Sequence, residues 1–235
     1  MANDYFSFKQ FTVWQDKTAM KVGTDGVLLG TMAVHAGPRL VLDIGTGTGL
    51  VALIAAQRFP EAAVHAIDIE PDAALQARDN FAASPFAARL TAHCAALDDW
   101  TPQCTYDLIV CNPPYFTESL LPPDSRRSLA RHTLTLTFRS LAAGTARLLA
   151  PDGVAAFIVP ADACSRLETE MTLCGLHTTG RVMVCTTPAK PPKRAVLHFA
   201  RKAAPEVAAG RLCIELEGHR YSDEYRRLTA DFYLR

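Results

Sequence analysis

Leu40-Val41-Leu42-Asp43-Ile44-Gly45-Thr46-Gly47-Thr48-Gly49 is an apolar run of strand character that breaks into three glycines at alternate positions. The pattern that follows, Leu50 to Arg58, is helical and is closed by Pro60. Apolar strand, glycine turn and helix make the opening unit of a parallel α/β sheet, in which ligands bind where the strands end. Glycine tolerates positive φ and lets a ligand approach the backbone. The spacing is G-x-G-x-G rather than the dinucleotide G-x-G-x-x-G, and Asp43 stands two residues ahead of the first glycine. A carboxylate in that place repels a phosphate and suits a ligand with a cationic amino group or a sulfonium.

The next strand, Ala63 to Asp68, ends in an acid 19 residues after Gly49. That is close to the offset at which a carboxylate accepts from both ribose hydroxyls in Rossmann-type sites, with Ile69 placed to lie against an adenine. Glu70 and Asp72 flank Pro71 and suit the first turn of the following helix. A third strand, Tyr106 to Cys111, runs into Asn112-Pro113-Pro114-Tyr115. The prolines fix φ and remove two N–H groups, so the ladder stops there. The Asn112 amide oxygen and the Pro113 carbonyl can both accept from one planar NH2 group, and Tyr115 offers a face for a base to stack on. The competing readings are structural: a solvated strand-end carboxylate at Asp68 and a proline turn at 112–115.

Of the 235 residues, 49% are hydrophobic and 20% charged, enough for one α/β domain with a full core. The seven cysteines have no C-x-x-C spacing, and several sit in apolar strand runs (Cys94, Cys111, Cys185). They are expected to be reduced core residues of a cytoplasmic protein, neither disulfides nor metal ligands. No signal peptide, no membrane span and no obligate protein partner are expected. Net charge is zero but unevenly spread: residues 1–120 carry 7 Lys/Arg against 13 Asp/Glu, a net of −6, leaving +6 for the rest. Thr186 to Lys202 holds Lys190, Lys193, Arg194, Arg201 and Lys202 without an acid, a candidate basic face for nucleic acid. Such runs are also common on solvated surfaces.

Residues 5–15 read as a short strand or hairpin. A helix over 27–34 is expected, capped by Thr24 or Asp25. Strands 40–44, 63–68, 89–95, 106–111 and 154–159 alternate with helices 48–58, 71–82, 127–149 and 162–174, the last closed by Gly175. Strands 178–187 and 194–201 look like an antiparallel pair, and Ser222 to Leu234 like a short amphipathic helix. The alternation predicts an α/β fold with a mostly parallel sheet, an antiparallel edge hairpin, and helices on both faces. One domain spanning 1–235 is expected, with residues 1–35 as an N-terminal extension covering the ligand site.

The motifs together resemble class I S-adenosylmethionine (SAM)-dependent methyltransferases of nitrogen, which have a Rossmann-like fold. More narrowly, the chain is similar to the family that methylates N6 of the adenosine beside the anticodon in tRNA1(Val). The residues that carry the narrow resemblance are Phe8-Lys9-Gln10-Phe11, Lys21 to Gly30, Asn112 to Phe116, Arg131-His132, Lys190 to Arg194 and Asp231 to Leu234. It implies SAM as cofactor and the tRNA anticodon loop as partner. It implies that Gly23-Thr24-Asp25 closes over SAM, that Asp43, Gly45, Thr46, Gly47 and Gly49 hold its methionine part, and that Asp68 holds its ribose. Asn112, Pro113, Pro114 and Tyr115 are the catalytic candidates, and Asn112 also borders the cofactor. Tyr115, Phe116, Arg126, Arg127, Arg131, His132, Lys193 and Arg194 are the candidate RNA contacts. Relatives often place an acid near Ala95 or Ala96 for the adenine amine, and here the nearest are Asp98 and Asp99.

Asn112-Pro113-Pro114-Tyr115 would equally suit a protein glutamine amide, an rRNA guanine or a DNA adenine, and the N-terminal and C-terminal blocks favour tRNA over these. A SAM-binding module without catalysis would not need that motif. The glycine spacing and Asp43 disfavour a nicotinamide oxidoreductase.

Overall fold

The computed structural model describes residues 3–18, 21–113, 136–218 and 220–234. A two-stranded antiparallel hairpin, β1 (Tyr5–Ser7) and β2 (Thr12–Trp14), precedes helix α1 (Thr24–Met32). Then β3 (Leu40–Ile44), α2 (Leu50–Arg58), β4 (Ala63–Asp68), α3 (Pro71–Ala82), β5 (Leu90–Cys94) and β6 (Tyr106–Cys111) follow. After the undescribed stretch come α4 (Phe138–Leu148), β7 (Leu149–Pro160), α5 (Cys164–Leu173), β8 (His177–Cys185), β9 (Arg194–Ala200), β10 (Ala208–Cys213) and α6 (Asp223–Thr229).

The main sheet has the order β10-β8-β9-β7-β6-β3-β4-β5. Every neighbouring pair is parallel except β7–β9 and β8–β9. One edge of the layer therefore gathers the C-termini of all these strands but β9, together with the N-terminus of β9.

Both faces of the central strands β3, β6, β7 and β9 are covered, which is why these strands read as largely continuous apolar runs. Val41, Val64, Ala66, Leu108 and Val110 point to a core shared with α1, α2, α3 and α6. Leu42, Ile44, Ile67, Ile109, Cys111 and Phe157 point to a second core with α4 and α5. A Cβ on Gly26 would lie 2.9 Å from Leu50 Cδ2, and one on Gly30 would lie 2.7 Å from Ile54 Cγ2. Both contacts have the same sequence offset, so α1 and α2 run parallel and nearly touch. Their N-termini lie side by side at the strand C-termini.

The hairpin is fastened to α3 by buried amides. Asn80, fully buried, accepts from Trp14 N (2.9 Å) and donates to Trp14 O and Thr48 O (2.8 Å each). Gln76 Oε1 accepts from Lys17 N at 2.8 Å. Gln15 Oε1 accepts from Val22 N at 2.7 Å and so holds the approach to α1.

The structure amends several expectations. Strand β10 was not anticipated and lies outside the β8–β9 pair, parallel to β8. Thr24 and Asp25 are inside α1, whose N-cap is Gly23 with no side-chain cap. Of the expected helix 127–149, the described part is Phe138–Leu148, started by a Thr137–Ser140 capping box. Gly175 closes α5 at φ 76°, as the sequence suggested. All seven cysteines are free thiols, but Cys94, the last residue of edge strand β5, is exposed rather than in the core. No helix among the described residues is long and apolar enough to cross a membrane.

Candidate active site

The site is built where β4, β3 and β6 end side by side. Ile44 pairs with Cys111 and with Ile67, so Gly45, Asn112 and Asp68 leave the sheet on adjacent strands. With strands about 4.8 Å apart, Asn112 and Asp68 flank the glycine turn about 10 Å from each other.

Gly45, Gly47 and Gly49 all have positive φ (67°, 55° and 84°). A Cβ on Gly45 or Gly47 would meet no atom of a described residue within 4 Å, whereas one on Gly49 would strike Phe81 at 2.5 Å. The last glycine is thus required by packing, while the first two leave open space that a ligand can fill. The turn is held by its neighbours. Gly45 N and Thr46 N donate to Ile67 O (2.9 and 3.1 Å), and Gly47 N donates to Asp68 Oδ2 at 2.8 Å. Asp68 Oδ1 accepts from Glu70 N at 3.0 Å. Each carboxylate oxygen keeps a second lone pair with which to accept a hydroxyl.

Asp43 is only 1% exposed. Its Oδ2 accepts from Thr46 Oγ1 at 2.6 Å and from Ala52 N at 3.2 Å, and these are its only hydrogen bonds to described residues. Among the described residues no donor meets Oδ1. Burial pushes its carboxyl up to about 7, against the downward pull of Thr46 and Ala52, and the Asp68 charge adds to the rise. A cation placed beside it would reverse that shift.

Neither α1 nor α2 has a side-chain cap, whereas Thr137 caps α4 and Ser222 caps α6. The parallel helices therefore present two positive N-termini at the glycine turn, suited to a carboxylate. Beside them Asp43 suits an ammonium. Residues 45 and 47 leave room, and the donor set fits the amino-acid end of SAM.

Gly23, Thr24 and Asp25 lie at the start of α1, next to this turn. Asp25 Oδ2 accepts from Arg194 Nε at 2.7 Å. Ile69 follows Asp68 directly, and its carbonyl is 3.7 Å from Cys94 Sγ. Ala95 N is taken by Asp68 O at 2.9 Å, and Asp98 is exposed in the turn beyond. Asn112 is half-buried and Pro113 buried. Pro114, Tyr115, Phe116, Arg126, Arg127, Arg131 and His132 lie outside the described residues.

The acid-free basic run does not form one face. Lys190, Lys193 and Arg194 are at the site edge, but β9 carries the chain to the opposite edge before Arg201 and Lys202. There Arg201 donates to Leu149 O at 2.9 Å and Lys202 pairs with Asp152 at 2.6 Å. Sequence reasoning also missed Asn80, which ties the glycine turn to the hairpin. The signal was present: Gln76 and Asn80 stand four apart on the same buried face of α3 as Ala73, Ala77 and Phe81.

The methyltransferase small domain family model matches residues 17–151. Among solved structures, a predicted O-methyltransferase from Agrobacterium tumefaciens superposes with a TM-score of 0.64 at 18% identity, covering 88% of this chain and 96% of its own. A ribosomal protein L11 methylase from Lactobacillus delbrueckii subsp. bulgaricus gives 0.57 at 19% identity, over 81% and 84%. Fold, glycine turn and strand-end Asn-Pro-Pro define a class I methyltransferase. The relatives narrow the class. The tRNA1(Val) (adenine(37)-N6)-methyltransferase of Phocaeicola vulgatus is 48% identical over 100% of this chain and 99% of its own. The protein of the same name from Parabacteroides distasonis is 46% identical over the full length of both. The chain belongs to the tRNA1(Val) (adenine(37)-N6)-methyltransferase family.

Proposed function

We propose that this chain methylates N6 of an adenosine beside the anticodon, position 37 of tRNA1(Val), using SAM in the cytoplasm. The observation that carries the reading is Asn112 leaving its strand beside Gly45, so that an acceptor for an amine stands next to the cofactor turn. The full-length likeness to relatives of that name supports the choice of tRNA. Residues 1–35 act as an extension over the cofactor side of a single domain.

SAM supplies an electrophilic methyl group on a sulfonium. The glycine turn, Asp43 and the N-termini of α1 and α2 hold its amino-acid end, and Asp68 its ribose. An adenine amine is a poor nucleophile because its lone pair is delocalised into the ring. Asn112 Oδ1 and the Pro113 carbonyl accept hydrogen bonds from its two N–H groups and aim the lone pair, so most of the rate gain comes from alignment. No strong general base is required before transfer, because the nitrogen becomes acidic only as it is methylated and then passes its extra proton to water. Tyr115 stacks on the base once it has left its neighbours. Lys193 and the arginines at 126, 127 and 131 contact phosphates.

Incubation with labelled SAM and total tRNA or total rRNA, followed by nucleoside analysis, tests this. N6-methyladenosine in one tRNA is the expected result. SAM binding without label in either pool would overturn it and point to a protein amide.

A further inference from the structure

Arg194 stands at the site edge in a basic segment, the place where a phosphate contact would be sought. Its side chain is also tied inward. It begins β9, paired to Pro160 of β7 on one side and Val184 of β8 on the other, so its backbone is fixed inside the sheet. Lys193, just before it, is also locked: its N–H donates to Val184 O at 2.9 Å and its carbonyl accepts from Ala161 N at 3.1 Å. From this anchor the guanidinium turns inward. Nε donates to Asp25 Oδ2 at 2.7 Å, and Nη1 donates to Lys193 O at 3.1 Å. Both side chains of the pair are about two-thirds or more covered, at 32% and 26% exposure.

Asp25 lies in the first turn of α1, which has no side-chain cap and whose first helical bond, Val27 N to Gly23 O, is long at 3.4 Å. α1 is pressed against α2 along Gly26 and Gly30, which sets its lateral position but leaves rotation and sliding of its first turn to other contacts. The Arg194–Asp25 pair is the described ion pair that reaches this turn from the sheet.

We infer that Arg194 is a positioning residue for the cofactor, acting through Asp25 to hold the Gly23–Asp25 turn beside the glycine turn. This rests on the reading that the two turns share SAM. In this arrangement Lys193 faces solvent and serves RNA, while its neighbour Arg194 serves the cofactor side. The tie joins segments 169 residues apart in sequence.

SAM affinity is measured by calorimetry without RNA, so the test does not depend on the substrate assignment. Arg194→Ala and Asp25→Asn should each weaken SAM binding about three- to tenfold, and the double variant should be no worse than either single one. Arg194→Lys should recover part of the loss. In turnover assays the KM for SAM should rise while kcat at saturating SAM and the KM for tRNA stay unchanged. Should Arg194→Ala leave SAM affinity intact but raise the KM for tRNA and flatten the salt dependence of tRNA binding, the inference is overturned and Arg194 is a phosphate contact. Additive losses in the double variant would overturn it as well. Thermal melts identify any variant that fails to fold, and Arg194→Lys then carries the comparison.

Discussion

With Asp43 facing the ammonium of SAM, as proposed, SAM affinity should depend on pH. In the free protein burial raises this carboxyl to about 7. An ammonium at Oδ1 stabilises the ionised form, so the ligand binds the ionised carboxylate and expels the proton. Affinity then scales with the ionised fraction: roughly one half at pH 7 and one tenth at pH 6. Binding should weaken roughly fivefold between those two values and approach tenfold per unit below them. The protein should release about 0.9 proton per SAM at pH 6. Stability of the free protein runs the other way. The folded carboxyl has the higher pKa, so its contribution is complete below the unfolded value near 4 and is lost as pH rises through about 7. The loss is at most about 4 kcal/mol. Calorimetry at pH 5.5 to 7, in buffers of different ionisation enthalpy, measures affinity and proton release together. Asp43→Asn should bind more weakly and without this slope. Flat affinity across the range in the native protein, with no proton released, would refute an ammonium at Asp43.

Asn112→Ala should lose methyl transfer by at least about a hundredfold with SAM affinity retained, read from turnover and calorimetry on the same preparation. Gly30→Ala drives a Cβ to 2.7 Å from Ile54 and should cost about 1–3 kcal/mol in a denaturant melt, whereas Gly26→Ala meets the end of a turnable Leu50 side chain and should cost less. Asn80→Ala removes three hydrogen bonds of a fully buried side chain and should destabilise by roughly 3 kcal/mol, seen as a lower Tm. Lys193→Ala should weaken tRNA binding and reduce its salt slope by about one ion, with SAM affinity unchanged.

Much of this was written locally in the chain. Strands 40–44, 63–68 and 106–111 coincide with the expected bounds because each apolar run meets a glycine, an acid or a proline that stops it, and helix 71–82 does so from Pro71 at its first turn. β10 was invisible because Ala208-Ala209-Gly210-Arg211 has little strand preference and is exposed. It is ordered by the free ladder of β8 rather than by its own side chains. The ligand turn was legible from its glycines. The ties around it were not: Asn80 joins Thr48 of the turn to Trp14 across 66 residues, and Asp25 at the start of the neighbouring helix meets Arg194 across 169. The charge run 190–202 read as one patch because sequence proximity says nothing about a strand that carries its two ends to opposite edges of the sheet.

In the proposed arrangement the paired helix N-termini and Asp43 would clasp the two charges of the amino-acid end of SAM, the part of the cofactor that the reaction leaves untouched. The spent thioether keeps the same ammonium and carboxylate and loses only the sulfonium charge. Binding energy drawn from those groups is uniform across the reaction and does not favour the transition state. The enzyme should therefore hold its by-product about as firmly as its methyl donor, and its pace in a cell should follow the ratio of the two rather than the level of the donor alone.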